Sequence, residues 1–439
     1  MAKHIQMPPI YPIPYNWTWV ELRQLTRIIS GYPFDSKSFS DLATEGRPLI
    51  RIRDVVRGYT ETYTTEECPK QYIIHKNDIL IGMDGDFNVG KWQNEDALLN
   101  QRVCFIQSVS ALLLNDYLFY FLPKPLKQIN DVTPSVTVKH LSTKTIESIM
   151  IPLPPLEEQQ RIVDRIDFLF AKLDEAKEKA QEVVDNFETR KAVILHKAFS
   201  GELTAKWRTE NNVSEKSWMA RKINQVCTPR AGYAFDSKKF TNAGYQIIRM
   251  GNLYGGTLDL ARNPVFTLAT DIDDAILKRS LVNDGDILIT LTGTKYKRDY
   301  GYAVCIRNPY NLLVNQRILC LSPNLNEITT DYLLYYLQSD IFRDVFFSNE
   351  TGGVNQGNVS SKFVENIQFE VPTYREQEEI GYILRSILEK EYQAKEIAEA
   401  VIEQIDIMKK SILARAFRGE LGTNDPSEES EIELLKQID

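Results

Sequence analysis

The sequence predicts an α+β fold: two pseudo-repeated mixed α/β domains joined by two long antiparallel coiled-coil helices, with approximate two-fold symmetry. Three observations predict it. A heptad pattern fills residues 156–203, the same pattern recurs 218 residues later, and the blocks before each copy share a series of short motifs in one order.

The first helix opens at Pro154-Pro155-Leu156-Glu157-Glu158-Gln159 and closes at Ala198-Phe199-Ser200-Gly201. Between them runs a seam of Ile162, Ile166, Leu169, Leu173, Ala176, Ala180, Val183, Phe187, Arg190 and Ile194. Steps of four and three alternate, which is the a/d rhythm of a coiled coil. No Gly or Pro interrupts Glu157–Phe199, and both stand where helix boundaries place them. About 42 helical residues span roughly 60 Å. The second helix repeats the seam as Ile380, Leu384, Ile387, Glu391, Ala394, Ala398, Val401, Ile405, Met408 and Ile412. Two seams of equal length can bury each other, whereas one alone would expose an apolar stripe. The second start has Thr373 where the first has Pro155, and Glu391 interrupts its seam; both bear on local packing.

The preceding blocks match motif by motif. Gly31-Tyr32-Pro33-Phe34-Asp35-Ser36-Lys37 pairs with Gly232-Tyr233-Ala234-Phe235-Asp236-Ser237-Lys238. Ile50-Arg51 pairs with Ile248-Arg249, Asp78-Ile79-Leu80-Ile81 with Asp286-Ile287-Leu288-Ile289, and Asn100-Gln101-Arg102 with Asn315-Gln316-Arg317. Order is kept while loop lengths change, as in an internal duplication. Ile50–Val55, Ile79–Ile81, Val103–Ile106, Ile247–Met250, Ile287–Leu291 and Ile318–Leu321 are short, β-branched and bounded by turn residues, which predicts strands. Asp116–Leu122 and Asp331–Gln338 start at a good N-cap and predict short helices. The predicted domains are therefore 1–153, a helical region 154–205, a second domain 206–371, a second helical region 372–421, and an acidic tail 422–439, frayed or partly helical.

Composition bounds the function. With 439 residues, 43% hydrophobic and 26% charged, the chain has the make-up of a soluble globular protein of two or three domains. No apolar run reaches the ~18 residues of a membrane span, and the N-terminus lacks the apolar segment of a signal peptide. Five scattered cysteines without C-x-x-C pairing suggest reduced cytoplasmic thiols, and four isolated histidines suggest no metal. The net charge of −8 is unevenly spread. Residues 1–150 carry 16 basic and 16 acidic side chains, and residues 206–372 carry 19 and 17. The helices and tail hold the excess, so DNA binding by the two blocks stays open.

Motifs for catalysis are missing. Gly85-Asp86-Phe87-Asn88-Val89-Gly90-Lys91-Trp92 fits G-x-x-x-x-G-K, but Trp92 stands where a phosphate loop needs Ser or Thr for magnesium. Nucleophile-elbow, zincin and amino-methyltransferase signatures are absent too. Polar and basic residues in paired loops are instead the candidate DNA contacts. They are Ser36, Lys37, Arg51, Arg53 and Lys91 in the first block, and Ser237, Lys238, Lys239, Arg249, Lys295, Lys297 and Arg298 in the second. Arg can bond guanine O6 and N7 together, while Lys more often neutralises phosphate. For any one of them the plainer reading is a solvated surface charge; recurrence favours Lys37/Lys238 and Arg51/Arg249. The Asn-Gln-Arg pairs could contact bases or tie a turn to the sheet, and the structural role is the favoured one.

Taken together, these motifs resemble the specificity subunit of a type I restriction–modification system. The most telling are Pro152-Leu153-Pro154-Pro155-Leu156-Glu157-Glu158-Gln159-Gln160-Arg161-Ile162 and Lys197-Ala198-Phe199-Ser200-Gly201-Glu202-Leu203-Thr204. The resemblance covers Pro14 to Leu421. It implies two target recognition domains, each reading one half of a split, asymmetric site in double-stranded DNA, with the helices as ruler and docking surface. It implies no cofactor in this chain. S-adenosylmethionine, ATP and Mg would belong to partners: two adenine-N6 modification subunits, and restriction subunits. Partner contact is expected at the helix ends, on Leu156, Phe199, Leu203, Phe417 and Leu421. The alternatives are a single-chain enzyme that modifies or cleaves DNA, and a coiled-coil scaffold without DNA contact.

Overall fold

The computed structural model describes residues 11–134 and 138–428. Packing divides the chain into Met1–Lys179 with Ala400–Asp439, and Ala180–Glu399. The division falls inside both long helices, because each helix lends one end to the core of each unit.

In the first unit, strands Thr18–Glu21 and Met150–Leu153 pair antiparallel beside the helix start. A four-stranded antiparallel sheet follows in the order Thr26–Ser30, Val103–Ser108, Ile79–Gly82, Val89–Lys91. A five-stranded sheet contains the parallel pair Arg47–Ile50 and Ala97–Leu99. Ile79, Ile81, Cys104 and Ile106 put one face of the four-stranded sheet into a core with Tyr117, Leu118, Phe121, Ile162, Ile166 and Phe417. The second unit repeats this plan. Met219–Lys222 pairs with Gln368–Val371. The four-stranded order is Cys227–Ala231, Ile318–Pro323, Ile287–Thr290, Ala303–Cys305. Tyr245–Ile248 and Leu312–Val314 form its parallel pair.

Element ends differ in places from the sequence expectation. The strand expected over Ile50–Val55 stops at Ile50, and Asp54–Arg57 turns helical. The carboxylate of Asp54 accepts from the Arg51 amide at 2.8 Å, which favours a turn over an extended chain. The helix expected at Asp116–Leu122 spans Asn115–Phe121, and a second helix, Pro123–Val132, follows with Pro at its first position.

The first long helix is two segments, Leu156–Asp185 and Phe187–Phe199, parted at Asn186; the second, Tyr374–Ala416, is continuous. In the first unit Lys177 meets Asp406 at 2.7 Å and Asp174 meets Lys409. In the second, Arg190 meets Glu391 at 2.7 Å and the Phe187 ring has the Lys395 ammonium 4.9 Å from its centre. Rising numbers meet falling ones, so the helices run antiparallel in both. Ile162, Ile166, Ala180 and Phe187 are buried, as are Ile380, Leu384, Ala398 and Ile405. Ala176, Ala394, Val401 and Met408 are exposed, contrary to the expected continuous seam. An ideal helix drifts ~20° per heptad, so a strict seven-residue stripe turns out of the interface unless the pair supercoils tightly. Ion pairs and the Lys409 ammonium, 4.9 Å from the Phe170 ring, cover that stretch instead.

No described helix is long and apolar enough to cross a membrane. All five cysteines are free thiols, and burial pushes those of Cys104 and Cys227 up to about 12, where they are unreactive at neutral pH.

Candidate nucleic-acid interface

The paired loops converge on one construction in each unit. Gly31 leaves the edge of the four-stranded sheet and passes so close to Asn100 that an added Cβ would lie 2.1 Å from its carbonyl oxygen. Gly232 meets Asn315 in the same way, at 2.0 Å. Only glycine permits that approach. The next residue then clamps the Asn-Gln-Arg turn. Tyr32 donates to Leu99 at 2.8 Å and accepts from the Gln101 amide at 3.0 Å; Tyr233 donates to Val314 and accepts from the Gln316 amide, both at 2.9 Å. Asn100 donates to Ile50 at 3.3 Å and Asn315 to Ile248 at 3.1 Å, placing each turn beside Arg51 or Arg249.

Those arginines sit on matching turns. The Arg51 amide bonds the Asp54 side chain at 2.8 Å, and the Arg249 amide bonds that of Asn252 at 2.9 Å. The Phe-Asp-Ser-Lys loops are 3-10 turns in which Asp35 caps Lys37, and Asp236 caps Lys238, at 3.0 Å each. Tyr32 stacks edge-on to Phe34 and Tyr233 to Phe235, fixing where the loops leave the sheet. Ser36, Lys37, Ser237, Lys238 and Lys239 are exposed at their tips.

The structure separates the expected contacts into available and engaged side chains. Lys37, Lys238, Arg51 and Lys297 are exposed, whereas Arg249 is half-exposed and donates to the Asn263 carbonyl at 2.7 Å. Arg53 bonds Thr62 at 3.1 Å, and the Lys239 ammonium caps the Asp271 carbonyl at 3.3 Å. Lys91 lies in a β-hairpin, pairs with Asp116 at 2.7 Å and rests 4.7 Å from the Phe119 ring. Its glycine loop is thus a strand turn, with Gly90 pressed against the Val55 carbonyl. Arg298 pairs with Asp344 at 2.6 Å over Phe347, and Lys295 lies over Tyr296.

Most of the expected partner-docking residues are used inside the fold. Phe417 is buried against Tyr117 and Phe121, Phe199 packs on Tyr332 and Tyr336, and Leu203 and Leu421 line the two cores. Leu156 alone of the five is exposed. The helix-end repeat is therefore a packing device: it seals each domain onto its helices.

Sequence reasoning missed a buried polar pair that occurs twice. Trp17 donates to Glu158 at 2.8 Å, and Trp218 donates to Glu376 at 3.1 Å. Glu376 also accepts from Thr204 and from Arg208, each at 2.7 Å. Glu158 has Asn424 at 2.9 Å, and burial raises its pKa. The neighbouring Gln159 and Gln377 tie the chain segments together: each accepts one amide and donates to two carbonyls. Thr373 accepts the Gln377 amide at 3.0 Å just as Pro155 accepts that of Gln159, so the missing second proline changes nothing there. The signal was the Glu-Gln doublet recurring at the helix start. Residues 422–428 are held down as well, with Arg161 bonding the Thr423 carbonyl and, through both nitrogens, Glu428. The rest of the expected acidic tail, 429–439, lies outside the described residues.

Among the described residues no three His, Cys, Asp or Glu side chains converge as metal ligands. What each unit presents is exposed cations and amides on a rigid turn, suited to binding rather than to bond-making.

Residues 14–184 and 215–404 each match the family described as type I restriction modification DNA specificity domain. The chain is 29% identical over 419 residues to the type I restriction enzyme EcoBI specificity subunit of Escherichia coli, covering 92% of this chain and 86% of that one. It is 24% identical over 434 residues to the MjaVIII specificity subunit of Methanocaldococcus jannaschii, covering 93% and 94%. Among solved structures, the HsdS subunit from Thermoanaerobacter tengcongensis aligns with a TM-score of 0.59 at 17% identity, over 94% of this chain and 99% of its own. A chain from work on assembly and conformational transition of the type I R-M system aligns at 0.69 and 17%, over 94% and 100%. At these identities the structural likeness establishes the fold.

Proposed function

The chain belongs to the type I restriction–modification DNA specificity family, and from that premise we propose that its two units each read one half of a split, asymmetric site in duplex DNA. The chain is the DNA-recognition component of a restriction–modification complex; its partner subunits carry the catalysis. One observation carries the finer reading: the clamped Asn-Gln-Arg turn with its flanking arginine occurs once in each unit, on the same strands. Loops around the two turns differ in length and residues, which suits two different half-sites.

In this reading the helices set the spacing and take up two adenine-N6 modification subunits, with restriction subunits joining them in the cytoplasm. S-adenosylmethionine, ATP and Mg act in those partners. Exposed apolar residues on the second long helix, Ile397, Val401 and Met408 among them, offer surface for that assembly.

The test is the adenine methylation of the host genome with and without this gene. Loss of one bipartite motif on deletion supports the reading. Retention of every motif, with the modification partner demonstrably expressed, overturns it.

A further inference from the structure

The second unit holds an open cavity of about 390 Å³ beside its Asn-Gln-Arg turn, lined among others by Phe240, Arg249, Arg262, Asn263, Gln316 and Arg317. Three arginines thus line a space with room for a phosphodiester or the edge of a base. Arg249 is oriented by a bond to the Asn263 carbonyl at 2.7 Å. Arg262 and Arg317 are exposed and, among the described residues, form no ion pair; Arg262 lies 5.5 Å from the Tyr254 ring.

The duplication sorts these residues. Phe240, Arg249, Gln316 and Arg317 correspond to Phe39, Arg51, Gln101 and Arg102, and the Arg51 guanidinium stands 5.8 Å from the Phe39 ring. Their backbones are clamped by the same bonds in both units. A side chain common to both units cannot explain why the half-sites differ. It can hold what every half-site has, the sugar–phosphate backbone. Arg262 lies in the loop 253–264, which is longer than the matching loop 55–61 of the first unit and shares no motif with it, and so is free to be specific.

Building on the functional reading above, we propose that Arg249, Gln316 and Arg317, with Arg51 and Gln101 in the first unit, are sequence-independent anchors for the DNA backbone, and that Arg262 reads a base from the same cavity. Arg102 contributes less, because Asp84 already binds it. The anchor fixes where the duplex lies, and Arg262 then reaches a base edge from a known distance. A guanine is the base whose O6 and N7 match a guanidinium.

The full-length chain, assembled with its modification subunits, is titrated with a duplex carrying its methylated motif and with a duplex scrambled in both half-sites. The methylated motif is mapped in parallel for each variant. R317A lowers affinity about five- to tenfold for both duplexes, flattens the salt slope by about one, and leaves the motif unchanged. R317K restores most of the affinity, since a point charge suffices for phosphate. R262A and R262K both relax one position of one half-site and scarcely change binding to the scrambled duplex. A changed motif or unchanged affinity in R317A overturns the anchor, and an intact motif in R262A overturns the base contact. Absence of any motif from the wild-type complex is a failure of the functional reading itself, and so is told apart.

Discussion

The Arg190 guanidinium donates to the Glu391 carboxylate at 2.7 Å, joining the two charges that interrupt the apolar seams of the long helices. Arg190 donates as well to the Val183 carbonyl, one turn before the break at Asn186. The counterparts of the pair in the first unit, Leu173 and Met408, are apolar. The charged layer therefore marks one unit only and can set the register of its helices.

Arg190→Leu alone is expected to cost about 1–2 kcal/mol, because a half-buried Glu391 loses its partner. The double variant R190L/E391L recovers most of that stability. Chemical denaturation of the four species gives the coupling. A double variant no more stable than R190L would show that packing, rather than pairing, is what the arginine provides.

Glu376 and Arg208 form the most enclosed ion pair among the described residues, with side chains 0% and 7% exposed. Glu376→Gln should destabilise by about 3 kcal/mol, since Arg208 stays buried without its countercharge. Thermal melting reads this directly. Because Thr204 and Trp218 bind the same carboxylate, loss of either hydrogen bond alone should cost only about 1 kcal/mol.

Glu158 is expected to behave oppositely. It has the tryptophan bond but, among the described residues, no ion pair with an arginine, and one buried oxygen, Oε1, has no partner among them. Burial raises its pKa, so the folded state holds the proton more tightly than the unfolded one. Its contribution is full at low pH and fades as pH rises through the folded pKa. Glu158→Gln should therefore raise Tm by about 1–3 °C at pH 8 and change it little at pH 4.5. A variant that melts lower at pH 8 would contradict the assignment.

Much of this was legible in the sequence because duplication writes each device twice. The Gly-Tyr loops, the Ile-Leu-Ile strands and the Glu-Gln doublets stand out as pairs, and each pair has a physical job that both copies perform. Seam layers at Ala176, Val401 and Met408 were misjudged because a heptad fixes a stripe and not the supercoil that keeps the stripe buried. Lys91 and Arg298 looked like free cations, but each is spent on a carboxylate and an aromatic ring distant in sequence. Arg262 was invisible for the converse reason: it has no second copy. Phe199 and Phe417 looked like partner contacts because an apolar residue at a helix end reads alike whether its own domain or another chain covers it.

Gly31→Ala and Gly232→Ala test whether the units fold around their turns separately. The added methyl would meet a backbone carbonyl that cannot retreat without breaking the Tyr32 or Tyr233 clamp. Each should cost about 2–3 kcal/mol. Hydrogen exchange in G31A should lose protection at 97–103 and keep it at 312–318, with the reverse in G232A. Loss of protection at both turns in either variant would show that the two are not independent.

The ruler can be lengthened where the helix closes. The first long helix ends at Phe199; Ser200 caps it, Gly201 takes φ +83°, and the Leu203 amide returns to the Lys197 carbonyl at 2.9 Å. Four residues inserted after Ser200 as a repeat of Lys197–Ser200 would supply a new Phe to pack on Tyr332 and a new carbonyl for Leu203. Thr204 would still reach Glu376. The contacts at this end of the first long helix are thus rebuilt, while the helix before it gains about 6 Å. The Arg190–Glu391 layer shifts by one turn, and an insertion of four residues overshoots 3.6 by only about 40° of rotation. The methylated motif of this variant should keep both half-sites and have a longer spacer, by at most about two base pairs at 3.4 Å each. An unchanged spacer with both half-sites intact would mean that the helix does not measure the site, and that spacing is set by the partners it binds.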